Sequence, residues 1–153
     1  MQAQAPTFVV RTYSTGIPSR AISSSREHHF VVDDTIAHGG TGEQPSPSEY
    51  FLSGVTSCAV LMLEREARSR RIPLERLDVT LEAVRDPGAP QPSEYATFQR
   101  IAVAFDLVGP DEEQAHTLVD FYEHNCPLYG SVAIATPEVS VSFRTRALTG
   151  AGA

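Results

Sequence analysis

The feature that most constrains this chain is a long helical pattern at residues 47–71, PSEYFLSGVTSCAVLMLEREARSRR. A continuous apolar stripe runs along it at i, i+4, i+7 and i+11, the spacing of a helix face. The stripe consists of Phe51, Val55, Cys58 and Met62, and is widened by Leu52, Ala59, Leu63 and Ala67. A helix apolar over most of its circumference needs cover on several sides, and one small sheet cannot supply that. The pattern therefore predicts a homodimer that wraps both copies of the helix between two sheets.

The start of this helix carries a capping signature. Ser46 is in the N-cap position, Pro47 at the first helical position and Glu49 two residues later. A serine followed three residues later by a glutamate is a capping box, in which each side chain bonds the other residue's backbone N–H.

The other segments alternate between strand and helix patterns. Strands are predicted in 7–15, 19–25, 27–34, 76–84, 95–109 and 138–148, with helices over 110–125 and 126–135. The second helix has an apolar stripe of Ala115, Leu118, Val119 and Tyr122. This order indicates an α+β fold with antiparallel sheet in a single domain spanning 1–153, with an ordered core over about 7–147 and flexible termini.

Composition excludes several classes of protein. The formal net charge of −7 argues against nucleic acid or an anionic membrane surface as a partner. No apolar run approaches the ~18 residues of a membrane span, and no export signal is visible at the start. Two cysteines cannot form a secreted disulfide framework, so the expected compartment is the cytoplasm.

The two cysteines have different local contexts. Cys126 precedes Pro127, which biases it away from helical dihedrals and places it at the N-cap of a short helix, where the positive end of the dipole favours a thiolate. A helix corner with a buried small residue is the competing interpretation. Cys58, in the middle of an apolar face, is by itself typical of a core cysteine. It becomes a nucleophile only if a cation and a hydrogen-bond partner reach it, and Arg11, Arg20 and Arg26 of the N-terminal strands are the candidates.

Metal and hydrolase chemistry find little support. The histidines and cysteines lack CxxC or HxxxH spacing, and no motif fixes a histidine beside either thiol. We expect no metal site.

In combination, these segments resemble the OsmC/Ohr family, the osmotically inducible protein C and organic hydroperoxide resistance proteins. The resemblance rests on three segments: a GG pair in the loop before the first helix, PSPSEYFLSGVTSCAV ending near Cys58, and NCPLYGSV around Cys126. The strand and helix patterns between them match as well, so that the resemblance covers roughly residues 7 to 146.

The resemblance implies an OsmC-like fold, an intertwined homodimer and a cysteine-based peroxidase for organic hydroperoxides. By that analogy Cys58 is the peroxidatic thiolate that becomes a sulfenic acid, and Cys126 is the resolving thiol that forms a disulfide with it. No bound cofactor is implied; the reductant would be an external dithiol, such as a lipoyl group. The apolar surroundings of Cys58 favour an alkyl or lipid hydroperoxide over hydrogen peroxide.

Two positions depart from the Ohr pattern, in which an arginine and a glutamate activate the peroxidatic cysteine. The Ohr glutamate position is occupied here by Ser48, and Glu49 stands nine residues before Cys58, on nearly the opposite helix face. Glu49 is therefore a candidate activator that also fits a capping role. Arg20 is the first candidate for the arginine and Arg26 the second. A non-catalytic module of the same fold, binding an apolar ligand at the dimer interface, is the alternative function.

Overall fold

The computed structural model describes residues 7–88, 90 and 94–147. Its strands are β1 Arg11–Ser14, β2 Arg20–Ser25, β3 His28–Asp33, β4 Arg76–Val84, β5 Arg100–Val108 and β6 Glu138–Arg146. Its α-helices are α1 Pro47–Arg70, α2 Glu112–Asn125 and α3 Pro127–Ala133, and a 3-10 turn spans Ile36–His38. The predicted α+β class and element order are confirmed. The predicted flexible tail, 149–153, lies outside the described residues.

The described residues divide into two compact units, with the division between Phe51 and Leu52. The N-terminal unit is a three-stranded antiparallel sheet in the order β1-β2-β3, followed by the loop that leads into α1. The first turn of α1 is held to this sheet, because the Tyr50 hydroxyl donates to the Val31 carbonyl at 2.9 Å and its ring packs against Phe30.

The C-terminal unit contains a second three-stranded sheet in the order β4-β5-β6. β4 and β5 are antiparallel, as predicted, but β5 and β6 are parallel, so the expectation of a purely antiparallel sheet is wrong here. The reason is the connection: residues 109–137 carry α2 and α3 back across the sheet, and a crossover of this length lets the next strand run in the same direction.

One hydrophobic core fills the C-terminal unit. It combines one side of α1, the inward side of β5 and the predicted stripe of α2. Its fully buried side chains include Val55, Leu63, Ile101, Phe105, Leu107, Leu118 and Tyr122. α1 buries one side only within this chain, since Leu61 on another side is 65% exposed.

Candidate functional site

The C-terminal unit brings the two cysteines together. Cys58 lies in the middle of α1, and Cys126 is 68 residues further along the chain, yet their sulfur atoms are 3.3 Å apart. Both are free thiols, and the Cys126 thiol is directed at the Cys58 sulfur as a hydrogen-bond donor. The separation exceeds the ~2.05 Å of a disulfide by little more than 1 Å, so a bond between them requires only a small movement.

Cys126 is fixed by the corner between two helices. It is both the C-cap of α2 and the N-cap of α3, with an extended backbone, because Pro127 opens α3. Its N–H donates to the Tyr122 carbonyl at 2.9 Å, and its sulfur accepts from the Tyr129 N–H at 3.4 Å. The predicted capping position is therefore confirmed, and the thiol is held on two sides.

Cys58 is half-buried among apolar neighbours and donates weakly to the Met62 sulfur at 3.6 Å. Burial raises the pKa of its thiol to about 11, and the hydrogen bond and charge of Cys126 act in the same direction. Arg65, on the same helix, lowers the pKa but does not offset the other causes. Within this unit Cys58 is thus a thiol at neutral pH, which fits the prediction that activation must come from elsewhere.

A buried aromatic cluster supports the cysteine corner. The ring of Tyr122 packs edge-on against Phe105, at 5.3 Å between centroids, and is tilted by 43° against the ring of Tyr129, at 5.1 Å. The Tyr122 hydroxyl is buried and has no hydrogen-bond partner among the described residues. The sequence pattern predicted Tyr122 only as part of an apolar stripe. Its position one helical turn before Cys126 is the feature that could have predicted a place near this thiol.

Arg20 is engaged inside the N-terminal unit. One of its guanidinium nitrogens donates to Asp33 at 3.1 Å, Thr41 at 2.8 Å and Glu43 at 2.6 Å. Asp33 is almost fully buried and also accepts hydrogen bonds from the Thr41 hydroxyl and the Glu43 N–H. The Thr41 hydrogen bond, with the help of Arg20, holds the pKa of Asp33 well below its usual range.

The GG pair shapes the loop that completes this cluster. A Cβ added to Gly40 would lie 2.0 Å from the Asp34 carbonyl oxygen, so the close approach of these two backbone segments requires a glycine. Thr41 follows directly and reaches Asp33. Gly40 was noted in the sequence only as part of the family resemblance. In the structure it allows the close backbone approach that brings Thr41 to Asp33 in the Arg20 cluster.

Glu49 caps α1. Its carboxylate accepts from the Ser46 N–H at 2.7 Å, and the Glu49 N–H donates to the Ser46 hydroxyl at 3.4 Å, so the predicted capping box is confirmed. These hydrogen bonds hold the pKa of Glu49 below its ordinary value. Arg26 stands in the tight turn between β2 and β3 with a positive φ of 55°. The roles predicted for Arg20, Arg26 and Glu49 at Cys58 stay predictions.

The described part of the chain holds no group of three or more histidine, cysteine, aspartate or glutamate side chains that could bind a metal ion. None of its helices is long and apolar enough to cross a membrane.

Fold and site together define a chain with two facing thiols held by the C-terminal unit of an α+β protein. The family model described as OsmC-like protein matches residues 40–142, and the chain belongs to this family. No curated protein matches the sequence.

Solved structures agree on the fold. An OsmC-like protein from Mycoplasma pneumoniae is 16% identical, with a TM-score of 0.80 over 93% of this chain and 99% of that one. An organic hydroperoxide resistance protein OsmC from Legionella pneumophila is 17% identical, with a TM-score of 0.71 over 92% and 98%. The organic hydroperoxide resistance protein OhrB of Bacillus subtilis is 18% identical, with a TM-score of 0.62 over 90% and 98%. At these identities the likeness establishes the fold.

Proposed function

We propose that the protein is a dithiol peroxidase that reduces organic hydroperoxides. The observation that carries the proposal is the 3.3 Å separation of the Cys58 and Cys126 sulfur atoms. Family membership and the names of two structural neighbours, both organic hydroperoxide resistance proteins, support the choice of reaction.

The proposed reaction has two steps on the protein. The Cys58 thiolate attacks one peroxide oxygen, an S–O bond forms as the O–O bond breaks, and the alkoxide leaves as an alcohol after taking a proton. Cys58 is thereby oxidised by two electrons to a sulfenic acid. The Cys126 thiolate then attacks the Cys58 sulfur, the S–O bond breaks as hydroxide leaves and takes a proton from solvent to become water, and a Cys58–Cys126 disulfide forms. An external dithiol returns both thiols by exchange and is itself oxidised.

The proposal includes an activating cation, because a Cys58 thiol with a pKa of about 11 is a poor nucleophile at neutral pH. Arg20 is the first candidate and Arg26 the second. The three hydrogen bonds of Arg20 to Asp33, Thr41 and Glu43 all use one guanidinium nitrogen. Its Nε is buried and has no partner among the described residues, so a further contact does not require these bonds to break.

A homodimer is part of the same proposal. Among the described residues, no apolar side chain of the N-terminal unit is fully buried, whereas Phe8 is 89% exposed and Ile36 78% exposed. A three-stranded sheet with exposed apolar residues needs a partner surface, and a second copy of the chain is the partner the family resemblance implies. Light scattering at micromolar concentration tests this: a mass near twice the 16.6 kDa of the chain is expected, and a monomer contradicts it.

The test of the reaction is titration of the reduced protein with cumene hydroperoxide. We expect one equivalent to remove two free thiols, with peptide mapping under non-reducing conditions finding a Cys58–Cys126 bridge. In Cys126→Ser, dimedone should trap a sulfenic acid on Cys58, while Cys58→Ser should consume no peroxide rapidly. Trapping on Cys126 in Cys58→Ser would reverse the two roles, and comparable rates with hydrogen peroxide would remove the preference for organic substrates.

A non-catalytic module that binds an apolar ligand is the second candidate. The observation in its favour is the raised pKa of Cys58, since a binding protein has no need of a thiolate. Two thiols that stay reduced with excess cumene hydroperoxide would favour this function over the peroxidase.

A further inference from the structure

The Tyr122 hydroxyl is a buried polar group that the proposed reaction leaves unused. The side chain is fully buried, and its oxygen has no hydrogen-bond partner among the described residues. An unpaired buried hydroxyl destabilises a fold, and a phenylalanine at this position would avoid that cost. The rings of Phe105 and Tyr129 hold the phenol in place, so it cannot turn out to solvent.

The hydroxyl lies in the neighbourhood of the two thiols. Tyr122 is one helical turn before Cys126, whose N–H bonds to the Tyr122 carbonyl. Burial raises the pKa of Tyr122 far above its ordinary value, and Cys126, Tyr129 and Cys58 raise it further. The phenol therefore stays protonated throughout the neutral range. The Cys126 side chain is close enough to act on it as a hydrogen-bonding group, but the contact does not have the geometry of a full hydrogen bond in the reduced, uncharged site.

We propose that Tyr122 is a positioning residue whose hydroxyl donates a hydrogen bond to the Cys126 sulfur when that sulfur becomes a thiolate. The Tyr129 N–H, already 3.4 Å from the sulfur, is the second donor. The inference rests on the proposed function, because the Cys126 thiolate is the species that attacks the sulfenic acid on Cys58. Tyr122 transfers neither a proton nor an electron; the S–S bond forms, the S–O bond breaks and the oxygen leaves as water.

The remaining titratable groups near this corner come from three helices. They are Cys58 and Arg65 of α1, Glu123 of α2 and Tyr129 of α3. Glu123 accepts a hydrogen bond from the Tyr129 hydroxyl at 3.5 Å, so that hydroxyl has a partner of its own. The test removes Cys58 by substitution with alanine, because a serine at this position would bring a second hydroxyl donor to the Cys126 sulfur.

The test compares thiolate formation at Cys126 with and without the Tyr122 hydroxyl, in a Cys58→Ala chain whose only cysteine is Cys126. Thiolate absorbance at 240 nm is followed against pH, with the matching cysteine-free chain as the blank for tyrosine. We expect Tyr122→Phe to move the midpoint of thiolate formation upward by about one pH unit, the size of a hydrogen bond to a charged group. Tyr50→Phe is the control, because it removes a hydroxyl that already has the Val31 carbonyl as its partner. Coincident profiles for Tyr122→Phe and its parent would overturn the inference.

Replacement of Tyr122 by 3-fluorotyrosine gives a second measurement that does not depend on how Tyr122→Phe folds. A more acidic phenol of nearly the same shape is a stronger donor, so the midpoint should move downward; no movement, or an upward one, would contradict the proposal.

Kinetics in the chain with both cysteines separates this inference from the peroxidase itself. Tyr122→Phe should leave the rate of sulfenic acid formation on Cys58 unchanged and slow disulfide formation up to tenfold. Equal rates of disulfide formation would count against Tyr122. If no sulfenic acid forms in any variant, the peroxidase proposal fails, while the absorbance profiles still decide the role of Tyr122.

Discussion

The two units of this chain achieve burial by different means. The C-terminal unit buries a cluster of sixteen apolar side chains among its described residues, and its two thiols lie within or against that cluster. Among the described residues of the N-terminal unit, the buried side chains are instead polar, Ser23 and Asp33, and its large apolar residues are half-buried or exposed. The comparison teaches that the hydrophobic effect stabilises one unit, while an ion-pair and hydrogen-bond cluster around Asp33 organises the other.

The largest effect on stability should follow a cavity in the C-terminal core. Leu63 is fully buried, and Leu63→Ala should lower the free energy of unfolding by about 3 kcal/mol, measured by urea denaturation. Leu61→Ala, two residues earlier on the same helix and largely exposed, is the matched control, and should cost no more than ~0.5 kcal/mol in the monomer. A Leu61 effect that grows with protein concentration would mean that a second chain covers this side of α1.

Loss of the buried charge should come next. Asp33→Asn keeps the shape of the side chain but loses the ion pair with Arg20, and should lower the Tm by roughly 5 °C at pH 7. Because the folded pKa of Asp33 lies below its unfolded value near 4, its stabilisation is present above that pH and is lost as the pH falls further. The Tm difference between the variant and wild type should therefore shrink towards pH 2. A constant difference would contradict the assignment, and Asp34→Asn, at a more exposed neighbouring carboxylate, should have the smaller effect.

The reactivity of the Cys58 thiol tests whether the N-terminal unit lowers the pKa of a group in the C-terminal unit. If only the groups of the C-terminal unit set the pKa of Cys58, its rate of alkylation by iodoacetamide should increase with pH. The midpoint of that increase should lie near the pKa of about 11. Cys126→Ser should lower that midpoint, because it removes the hydrogen bond and charge of Cys126 that raise it. A midpoint several pH units lower in the assembled protein, restored by Arg20→Gln or by Arg26→Gln, would identify the activating arginine.

The smallest effect is expected at Glu49. Glu49→Gln keeps an acceptor for the Ser46 N–H and loses only the charge at the helix start, so stability should fall by roughly 0.5 kcal/mol. Activity with cumene hydroperoxide should not change if Glu49 is a capping residue. A drop of tenfold or more in kcat/KM with unchanged stability would restore Glu49 as an activator of Cys58.

Much of the secondary structure follows from local patterns. The α2 stripe, the alternation in β4 and the capping residues of α1 and α3 each depend on neighbours within a few positions, and all are confirmed. The parallel pairing of β5 with β6 did not follow, because strand direction depends on the path of a crossover rather than on side-chain periodicity.

The site was predictable only in part. Cys58 and Cys126 came from family resemblance, and no spacing rule relates residues 68 positions apart. The carboxylate cluster around Arg20 was missed, since Asp33 ends a strand and Thr41 and Glu43 lie in a loop with no periodic signal. Tyr122 has the same periodicity whether or not its hydroxyl acts.

The long separation of the two thiols also links oxidation to folding. A bond across 68 residues closes a large loop in the unfolded chain, and the lost loop entropy corresponds to about 4 kcal/mol of added stability for the folded, oxidised protein. A thermodynamic cycle then requires the same free energy to favour the bond in the folded chain over the unfolded one. In the proposed reaction the fold would thus stabilise the Cys58–Cys126 disulfide, and the reductant would have to break a bond that the native topology protects.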